Sequence, residues 1–379
     1  MSTPWLRRAG VIPLLTSALD ASTLMVLRRR APLVGADIAA SLTGSAVEFV
    51  LAESIASGGD PHTGHTRYRR VALAMTVAGV AADVSTLVVV DRLLRRRHPG
   101  VAKFAALGAG WVARFTVQRA LLAHEFRQAA KARHPRPPSA GAPRLSVVVP
   151  AFCEADRIGA TVEKIRAALR PELGDDFEII VVDDGSPDDT AAAARAAGAD
   201  EVVVNPVNLG KGASVRAGML AATGRVRAFT DADLAYDPEH LLRLLHAIEA
   251  GADVAIGNRR HRKSRATGSR GRVRDLASAG FNLLTRPLLV GGYADTQAGI
   301  KAFRGDTARQ VFGRTRIDGF AFDVEVLHLA ERLGGYVVEV PVAVSQGERS
   351  TVRVVPEAGR VLRDTLRMRR WAGRGLYDA

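Results

Sequence analysis

The chain contains very little cysteine, because Cys153 is the single one among 379 residues. An internal disulfide framework is therefore excluded, and the composition fits a reducing compartment. Aromatic residues make up only 5% of the chain and no zinc-finger or RNA-binding signature is present, so nucleic acid is not expected as a partner. The first apolar run lacks a cleavage-like end, so no signal peptide is expected either.

Acidic residues are scarce relative to basic ones. Lys and Arg number 53 against 39 Asp and Glu, which gives a formal net charge of +14. An excess of this size predicts an anionic partner. Because the arginines cluster beside apolar runs, a membrane surface and phosphorylated substrates are the favoured partners. The length of the chain allows two domains, each with its own core.

The first 130 residues contain four apolar runs, each near the roughly 20 residues that a bilayer-spanning helix needs. Each run also carries charge, so a soluble helical bundle is the alternative to a transmembrane one. The runs are 11–27, 33–56, 71–90 and 101–123.

An internal repeat relates the two halves of this region. The segment Asp-Ala-Ser-Thr-Leu that begins at Asp20 recurs as Asp-Val-Ser-Thr-Leu from Asp83. In the helix that follows each copy, carboxylates of the first half align with guanidinium groups of the second. Unpaired charge inside a bundle is costly, so these groups are predicted to pair. The predicted contacts are Glu48–Arg114 and Glu53–Arg119.

The two hairpins resemble the GtrA-like family, small four-helix membrane proteins proposed to handle polyprenyl-phosphate sugars. The resemblance covers about residues 7–127 and implies a multi-pass transmembrane domain over 1–130 in the cell inner membrane. Where that family tends to have Asn beside Phe, this chain has Glu48 and Arg114. Loop charges do not settle the orientation in the bilayer, and self-association through the helical half is left open. Residues 131–143 are predicted to form a stiff, basic, proline-rich linker.

From residue 144 the hydrophobic period changes. Short apolar runs alternate with amphipathic segments, which predicts an α/β domain over 144–379 with a mostly parallel, Rossmann-like sheet and helices on both faces. Ligands bind at the carboxyl ends of the strands in such sheets. Strands are predicted at 145–149, 177–182, 201–204 and 226–230, and helices at 158–169, 190–197 and 213–222.

Polar clusters follow these strands. Asp231 and Asp233 stand two residues apart at the end of one strand, so both side chains can face the same way. Paired carboxylates suit a hard divalent cation, Mg²⁺ or Mn²⁺, although a solvated acidic loop is the alternative. The other clusters are 150–154, 183–188 and 208–212.

The clusters, in this order, resemble family 2 glycosyltransferases of the GT-A fold from about residue 144 to 371. The resemblance implies a nucleotide-sugar donor whose diphosphate is held by a metal on Asp231 and Asp233. Cys153 replaces the Asn common after the aromatic residue, a departure expected to matter little. The resemblance also implies donor contacts from Pro150, Phe152, Glu154, Asp183 and Lys211. For Asp184, Ser186 and Asp188, turn and helix-capping roles are at least as well supported as ligand contact.

Later motifs resemble the dolichyl-phosphate glucosyltransferase branch, with polyprenyl-phosphate mannosyltransferases as cousins. Arg259 ends a Gly-Asn-Arg segment where those enzymes have Gly-Ser-Arg, and Arg270 and Arg274 follow. Residues 295–301 and 321–325 are close copies of that branch's signatures. The resemblance implies an inverting hexosyltransferase that uses UDP-glucose and polyprenyl phosphate at the cytoplasmic membrane face. Its product would be a β-linked lipid-phosphate sugar for cell-envelope glycosylation.

A lipid phosphate needs no strong general base, because it is already an anion near neutral pH. It needs positive charge, which Arg259, Arg270 and Arg274 can supply. Asp323 stands where a base is usually sought, but positioning is the favoured role, with helix capping as the alternative. Asp295, Gln297, Asp323 and Glu325 could orient sugar hydroxyls or complete a metal shell.

Two other functions compete. A polysaccharide synthase would carry Gln-x-x-Arg-Trp, whereas Arg367 stands at the Gln position here. A lipid-linked sugar flippase or binding protein would not need the intact Asp231, Asp233 and Arg259. Near the end of the chain, residues 360–371 form a basic amphipathic pattern ending in Trp, which predicts a helix at the headgroup level of a membrane.

Overall fold

The computed structural model describes residues 65–93, 139–259, 293–344 and 354–378, with scattered positions at 23–43 and 101–117. The chain divides into two compact units, residues 1–123 and 124–379. Several sequence predictions lie outside the described residues, namely Arg270, Arg274 and the contacts Glu48–Arg114 and Glu53–Arg119.

In the first unit, helix α1 (His65–Leu93) contains the second copy of the repeat. Its Asp83 is buried and accepts a hydrogen bond from the Ser41 hydroxyl. Leu87 of the same helix is buried against Ala106. In the part of the chain that the structure describes, no helix combines the length and the apolar character that a bilayer crossing requires.

The second unit is built on one seven-stranded sheet in the order β3-β2-β1-β4-β6-β5-β7. The strands follow the runs of β-branched and apolar residues, which fit a sheet covered on both faces. Those predicted at 201–204 and 226–230 have the expected bounds. The strands are β1 (Leu145–Ala151), β2 (Phe177–Asp183), β3 (Glu201–Val204), β4 (Val226–Thr230), β5 (Val254–Asn258), β6 (Ile300–Arg304) and β7 (Val337–Pro341).

The predicted mostly parallel α/β architecture is confirmed, with one reversal. Strand β1 is parallel to both β2 and β4, and β5 is parallel to β7. Strand β6 runs antiparallel between β4 and β5, with Ile300 opposite Thr230. Because of this reversal, the residues just before β6 lie at the same edge of the sheet as the residues just after β4 and β5.

Alternate residues of each strand face opposite sides of the sheet and fill two cores. On one side, Val147 and Val149 pack with Ile158 and Leu244 from the covering helices. On the other side, Val148 packs with residues of the remaining helices. The helices are α2 (Ala155–Leu173), α3 (Thr190–Ala196), α4 (Lys211–Ala221), α5 (Glu239–Glu249), α6 (Gly305–Phe312), α7 (Phe322–Arg332) and α8 (Val354–Gly373).

The last predicted linker residues pack on this unit, since the Ser139 hydroxyl accepts the Asp306 N–H at 3.1 Å. At the other end, α8 buries Met368 in the core and leaves Arg363, Arg367 and Arg370 exposed. The predicted basic helix is therefore present; Met368 and Trp371 pack on the sheet unit, whereas Leu366 is 48% exposed.

Candidate active site

The predicted site residues come together at the carboxyl-end edge of the sheet. Strands β1, β2 and β4 are parallel, so the residues that follow them reach the same edge. The reversed β6 begins at this edge, and helices α4 and α7 begin with residues that contact it. The residues brought together or placed along this edge are Pro150, Phe152, Glu154, Asp183, Lys211, Asp231, Asp233, Arg259, Asp295, Gln297 and Asp323.

Lys211 and Asp231 form an ion pair at the mouth of the site, with 2.5 Å between the Lys211 Nζ and the Asp231 Oδ1. Lys211 is the first residue of α4, and the preceding Gly210 has φ 102°. A Cβ at Gly210 would lie 2.6 Å from the Asp318 carbonyl oxygen, so this approach to the helix requires glycine. Burial opposes the charge on Lys211, but the carboxylates of Asp231 and Asp323 outweigh it and raise the pKa of Lys211.

Asp233 is exposed, and its carboxylate accepts the Ala235 N–H at 3.0 Å. Asp231 and Asp233 are hard oxygen donors of the kind that Mg²⁺ and Mn²⁺ prefer. The described residues contain no group of three or more His, Cys, Asp or Glu side chains placed to hold a metal. Two carboxylates fit an ion whose remaining ligands come from a bound diphosphate and water, as is usual for Mg²⁺ at phosphates.

The backbone of Gly299 forms a wall against Asp231. A Cβ at Gly299 would lie only 2.1 Å from the Asp231 Oδ2. The Gly299 N–H faces the hydroxyl of the buried Tyr236 at 3.3 Å, and burial raises the pKa of Tyr236 to about 12. Neither residue was assigned a role from the sequence, although a glycine just before a strand at the ligand edge is a usable sign of close approach.

Arg259 and Asp295 form a two-pronged ion pair. The Arg259 Nε and one terminal nitrogen donate to the two Asp295 oxygens at 2.6 and 2.7 Å, and the Arg259 backbone N–H adds a 3.1 Å bond. Although burial opposes both charges, the hydrogen bonds raise the pKa of Arg259 and lower that of Asp295. The Arg259 side chain is 27% exposed and that of Asp295 only 2%. Arg259 is thus a partly exposed cation whose charge is neutralised by the buried carboxylate of Asp295.

Asp323 lies in the first turn of α7 and is paired with Lys301, a residue to which the sequence assigned no role. The Lys301 Nζ donates to Asp323 and, at 2.7 Å, to the Ala298 carbonyl. Burial raises the pKa of Asp323 and lowers that of Lys301, while their mutual attraction offsets part of both effects. Asp323 is 5% exposed, so the structure gives it a partner inside the protein and little access to solvent.

The predicted donor residues line the edge near β1 and β2. Pro150 lies within β1, and Phe152 just after it is 44% exposed. Glu154 is half-buried, and its Oε2 lies 2.7 Å from the Arg157 Nε. Burial raises the pKa of the Glu154 carboxyl group. Asp183 ends β2, where it is buried and accepts the Ser186 N–H at 3.0 Å. An exposed ring beside two carboxylates is suited to a nucleobase and ribose.

Gln297 lies in the turn before β6. Its amide nitrogen is buried and has no hydrogen-bond partner among the residues that the structure describes. Glu325 belongs to the signature at 321–325, and it was expected to orient sugar hydroxyls or complete a metal shell. Its carboxylate instead accepts hydrogen bonds from the backbone N–H of Ile317 at 2.9 Å and from the Tyr377 hydroxyl at 2.5 Å. Glu325 therefore ties the loop before α7 to the end of the chain.

Three polar residues after β2 have structural contacts. Asp184 accepts the backbone N–H groups of Leu209 and Gly210, at 3.0 and 2.8 Å. The Ser186 hydroxyl accepts the Cys153 N–H at 2.9 Å, and Asp188 accepts the Thr190 N–H at the start of α3 at 3.2 Å. Of the turn and capping roles expected from the sequence, that of Asp188 is found, whereas Asp184 and Ser186 bond to loops 25 and 33 residues away in the chain. They hold the donor-side loops to one another.

Comparison with known proteins gives consistent similarities. Residues 146–312 match the family described as Glycosyl transferase family 2. The "Dolichyl-phosphate beta-glucosyltransferase" of Drosophila melanogaster is 38% identical over 214 residues, which cover 52% of this chain and 66% of that one. The proteins of that name from Dictyostelium discoideum and Homo sapiens are 31% and 32% identical. Those matches cover 59% and 56% of this chain and 73% and 70% of the relatives.

Among solved structures, glucosyl-3-phosphoglycerate synthase from Mycobacterium tuberculosis, in complex with Mn²⁺, UDP and glucosyl-3-phosphoglycerate, has a TM-score of 0.47 at 24% identity. The match covers 65% of this chain and 82% of that chain.

Proposed function

Because this chain belongs to glycosyl transferase family 2 and is a glycosyltransferase, we propose that it transfers glucose from UDP-glucose to the phosphate of a polyprenyl lipid. The relatives named dolichyl-phosphate beta-glucosyltransferase support this choice of sugar and acceptor. The observation that carries the proposal is the meeting of two charged pairs, Lys211–Asp231 and Arg259–Asp295, at one edge of the sheet.

The reaction is a direct displacement. A phosphate oxygen of the lipid attacks the anomeric carbon and forms the new C–O bond, while the bond from that carbon to the nucleoside diphosphate breaks and its electron pair leaves with UDP. The configuration inverts, so an α-linked donor gives a β-linked product. The acceptor is already anionic near neutral pH, so the reaction needs no general base. The enclosed position of Asp323, in contact with Lys301, agrees with this.

At the donor end, Asp231 and Asp233 would hold Mg²⁺ or Mn²⁺, and Phe152, Glu154 and Asp183 would contact the nucleoside. The metal supplies positive charge against the charge that develops on the departing diphosphate. Lys211 adds a cation that the protein holds in place through Asp231. Gln297, with its unpartnered amide nitrogen among the described residues, would orient sugar hydroxyls.

At the acceptor end, Arg259 would bind the lipid phosphate. The Asp295 carboxylate accepts hydrogen bonds from two nitrogens of the Arg259 guanidinium group, which fixes the plane of that group. Part of the Arg259 side chain remains exposed. A fixed guanidinium holds the phosphate with less entropic cost than a free one. Arg270 and Arg274 are proposed to complete the site on the strength of the sequence resemblance alone.

We also propose that the protein acts at the inner membrane with its second unit on the cytoplasmic side. The four apolar runs and the repeat whose copies begin at Asp20 and Asp83 support a GtrA-like, multi-pass first unit. The exposed arginines of α8 suit an anionic headgroup layer. Self-association through the first unit is a further expectation. Spheroplast labelling of a cysteine introduced at an exposed position, such as Arg370→Cys in a Cys153→Ser background, would test the topology. Labelling only after permeabilisation is expected, and labelling of intact spheroplasts would contradict the proposed side.

The proposed reaction is tested with the full chain purified in detergent. Undecaprenyl or decaprenyl phosphate is incubated with radiolabelled UDP-glucose, GDP-mannose and other nucleotide sugars, with and without EDTA. Label should enter the lipid from UDP-glucose and only without chelator. Transfer from GDP-mannose alone would favour a mannosyltransferase, transfer in EDTA would remove the metal, and no transfer with intact sugar-lipid binding would favour a flippase or binding protein.

A further inference from the structure

Glu339 is a half-buried glutamate in the middle of β7, the strand at one outer edge of the sheet. A charged side chain on an edge strand ordinarily lies in water, where it discourages pairing with other chains. Here one oxygen of the side chain has two donors within the protein. The Glu339 Oε1 accepts the Ala294 N–H at 2.9 Å and a hydrogen bond from the Asn258 Nδ2 at 3.2 Å. The contacts of Glu339 therefore reach the ligand edge of the sheet.

The two donors are the residues that directly precede the acceptor-side ion pair. Asn258 ends β5 and is followed by Arg259, and Ala294 is followed by Asp295. Arg259 and Asp295 are 36 residues apart in the chain, so their spacing depends on contacts between the two segments. The Glu339 carboxylate supplies such a contact from a third strand, because it joins the neighbour of one partner to the neighbour of the other.

The geometry of the Arg259–Asp295 pair requires a fixed spacing of these segments. Two guanidinium nitrogens lie 2.6 and 2.7 Å from the carboxylate oxygens, and the Arg259 backbone N–H bonds to the same carboxylate at 3.1 Å. A two-pronged pair forms only when both planar groups are aligned. A separation larger by about 1 Å would also take the backbone bond beyond the roughly 3.2 Å limit of N–H···O bonds.

We propose that Glu339 is a positioning residue for the acceptor phosphate, which it affects through the Arg259–Asp295 pair. Glu339 ties Asn258 to Ala294 and so holds the two segments at the spacing at which Asp295 fixes the plane of the Arg259 guanidinium group. Without Glu339, Arg259 keeps its charge but loses its fixed orientation. This inference rests on the proposed function and deepens its acceptor half.

The informative variants remove or restore the acceptor oxygen. Glu339→Leu removes it at a similar side-chain size, and Glu339→Gln returns an oxygen without the charge. Glu178→Leu is the matched control, because Glu178 is a half-buried strand glutamate that links two other segments at the opposite edge of the sheet. The Glu178 Oε1 accepts the Thr223 N–H at 2.8 Å and the Ser146 hydroxyl at 2.5 Å near the start of β2.

The first measurement needs no acceptor and no turnover. The coupling free energy between Arg259 and Asp295 is obtained by urea unfolding of the full chain with Arg259→Met, Asp295→Asn and both changes together. The same cycle is then repeated in each Glu339 and Glu178 variant. We expect the coupling to fall to less than about half of its wild-type value in Glu339→Leu, and to change little in Glu339→Gln and in Glu178→Leu.

The second measurement is steady-state transfer. Glu339→Leu should raise the KM for polyprenyl phosphate about tenfold and leave the KM for UDP-glucose within about twofold, because only the acceptor-side cation is misplaced. Glu339→Gln should bring the first KM back to within about threefold of wild type, and Glu178→Leu should change neither KM by more than about twofold. If Glu339→Leu does not unfold cooperatively, Glu339→Asp replaces it, because it keeps the charge and withdraws the oxygen by one methylene; at least about a threefold rise in the lipid KM is then expected.

Unchanged coupling in the Glu339 variant would overturn the proposal, because the ion pair would then keep its geometry without Glu339. An equal rise in both KM values, a selective rise in Glu178→Leu, or lost coupling with an unchanged KM for polyprenyl phosphate would also overturn it. If the wild type makes no lipid-linked sugar, the proposed function is wrong, whereas the coupling comparison still decides whether Glu339 positions Arg259.

Discussion

The contact between Gly299 and Asp231 makes Gly299→Ala the sharpest test of the site. The new Cβ would lie 2.1 Å from the Asp231 Oδ2 and 2.7 Å from its Cγ, whereas 3.4 Å marks ordinary contact. The carboxylate must therefore shift by more than about 1 Å, which disturbs its 2.5 Å contact with Lys211. A misplacement of ~1 Å at a reacting centre can cost about 100-fold in rate, or ~2.7 kcal/mol of activation free energy.

The fold should suffer less than the activity. Overpacking of this kind typically costs about 1–3 kcal/mol of unfolding free energy. Gly159→Ala is the control, because Gly159 lies in α2 and a Cβ added there would be 3.7 Å from its nearest neighbour, the Ala197 Cβ. That change should stabilise the protein by about 0.5–1 kcal/mol and leave transfer unaffected.

The assay is steady-state transfer of labelled glucose to polyprenyl phosphate, with urea unfolding of the same preparations. We expect Gly299→Ala to lose about 100-fold in kcat/KM for the nucleotide sugar while it still unfolds cooperatively. Transfer within about twofold of wild type would refute the reasoning, since it would mean that Asp231 can leave its position without consequence for the reaction.

Further predictions concern the charged groups around the same edge. Asp233→Asn should lower transfer about 100-fold and leave the melting temperature nearly unchanged, because the carboxylate is exposed; retained turnover would place the cation elsewhere. Arg259→Met should lower the unfolding free energy measured in urea by about 3–5 kcal/mol, because it leaves the buried Asp295 carboxylate without its partner. Adding Asp295→Asn should recover most of the lost free energy, and no recovery would contradict the pairing. Arg259 holds the pKa of Asp295 below its usual ~3.9. The stability that ionised Asp295 contributes should therefore be full above pH ~3.9 and be lost as the pH falls through the lowered pKa. A difference in unfolding free energy between wild type and Asp295→Asn that is the same from pH 7 to 2 would contradict this. Tyr377→Phe should cost about 1–3 kcal/mol in thermal unfolding with unchanged transfer, because Tyr377 donates to the buried Glu325; an unchanged melting temperature would show that this bond is replaceable.

Much of the second unit follows from local patterns. The short apolar run at 226–230 and the spacing of three and four in the helix containing Ile158 and Leu169 are local properties of the chain. Such patterns predicted the parallel half of the sheet and placed Asp183 and Asp231 at its carboxyl edge. The reversed strand β6 was not predicted, because a five-residue apolar strand has no local feature that reports its direction.

The site residues also divide into those that the sequence identified and those that only the structure revealed. Residues such as Lys211, Asp231 and Arg259 were named because chemically suitable side chains follow strands or lie in family motifs. Lys301 ends the motif at 295–301 but was given no role of its own, since a lysine ordinarily points to solvent. Its burial results from the arrival of Asp323, 22 residues further along the chain, at the start of a helix.

By itself, the sequence determined where strands and helices form and which functional groups stand at their ends, because backbone period and side-chain chemistry act over a few neighbouring residues. Only the tertiary structure decided which charges neutralise each other. Arg259 and Asp295 are 36 residues apart, and their pairing depends on β5 and the reversed β6 reaching the same edge. Electrostatic energy depends on separation in space, which the order of residues does not specify.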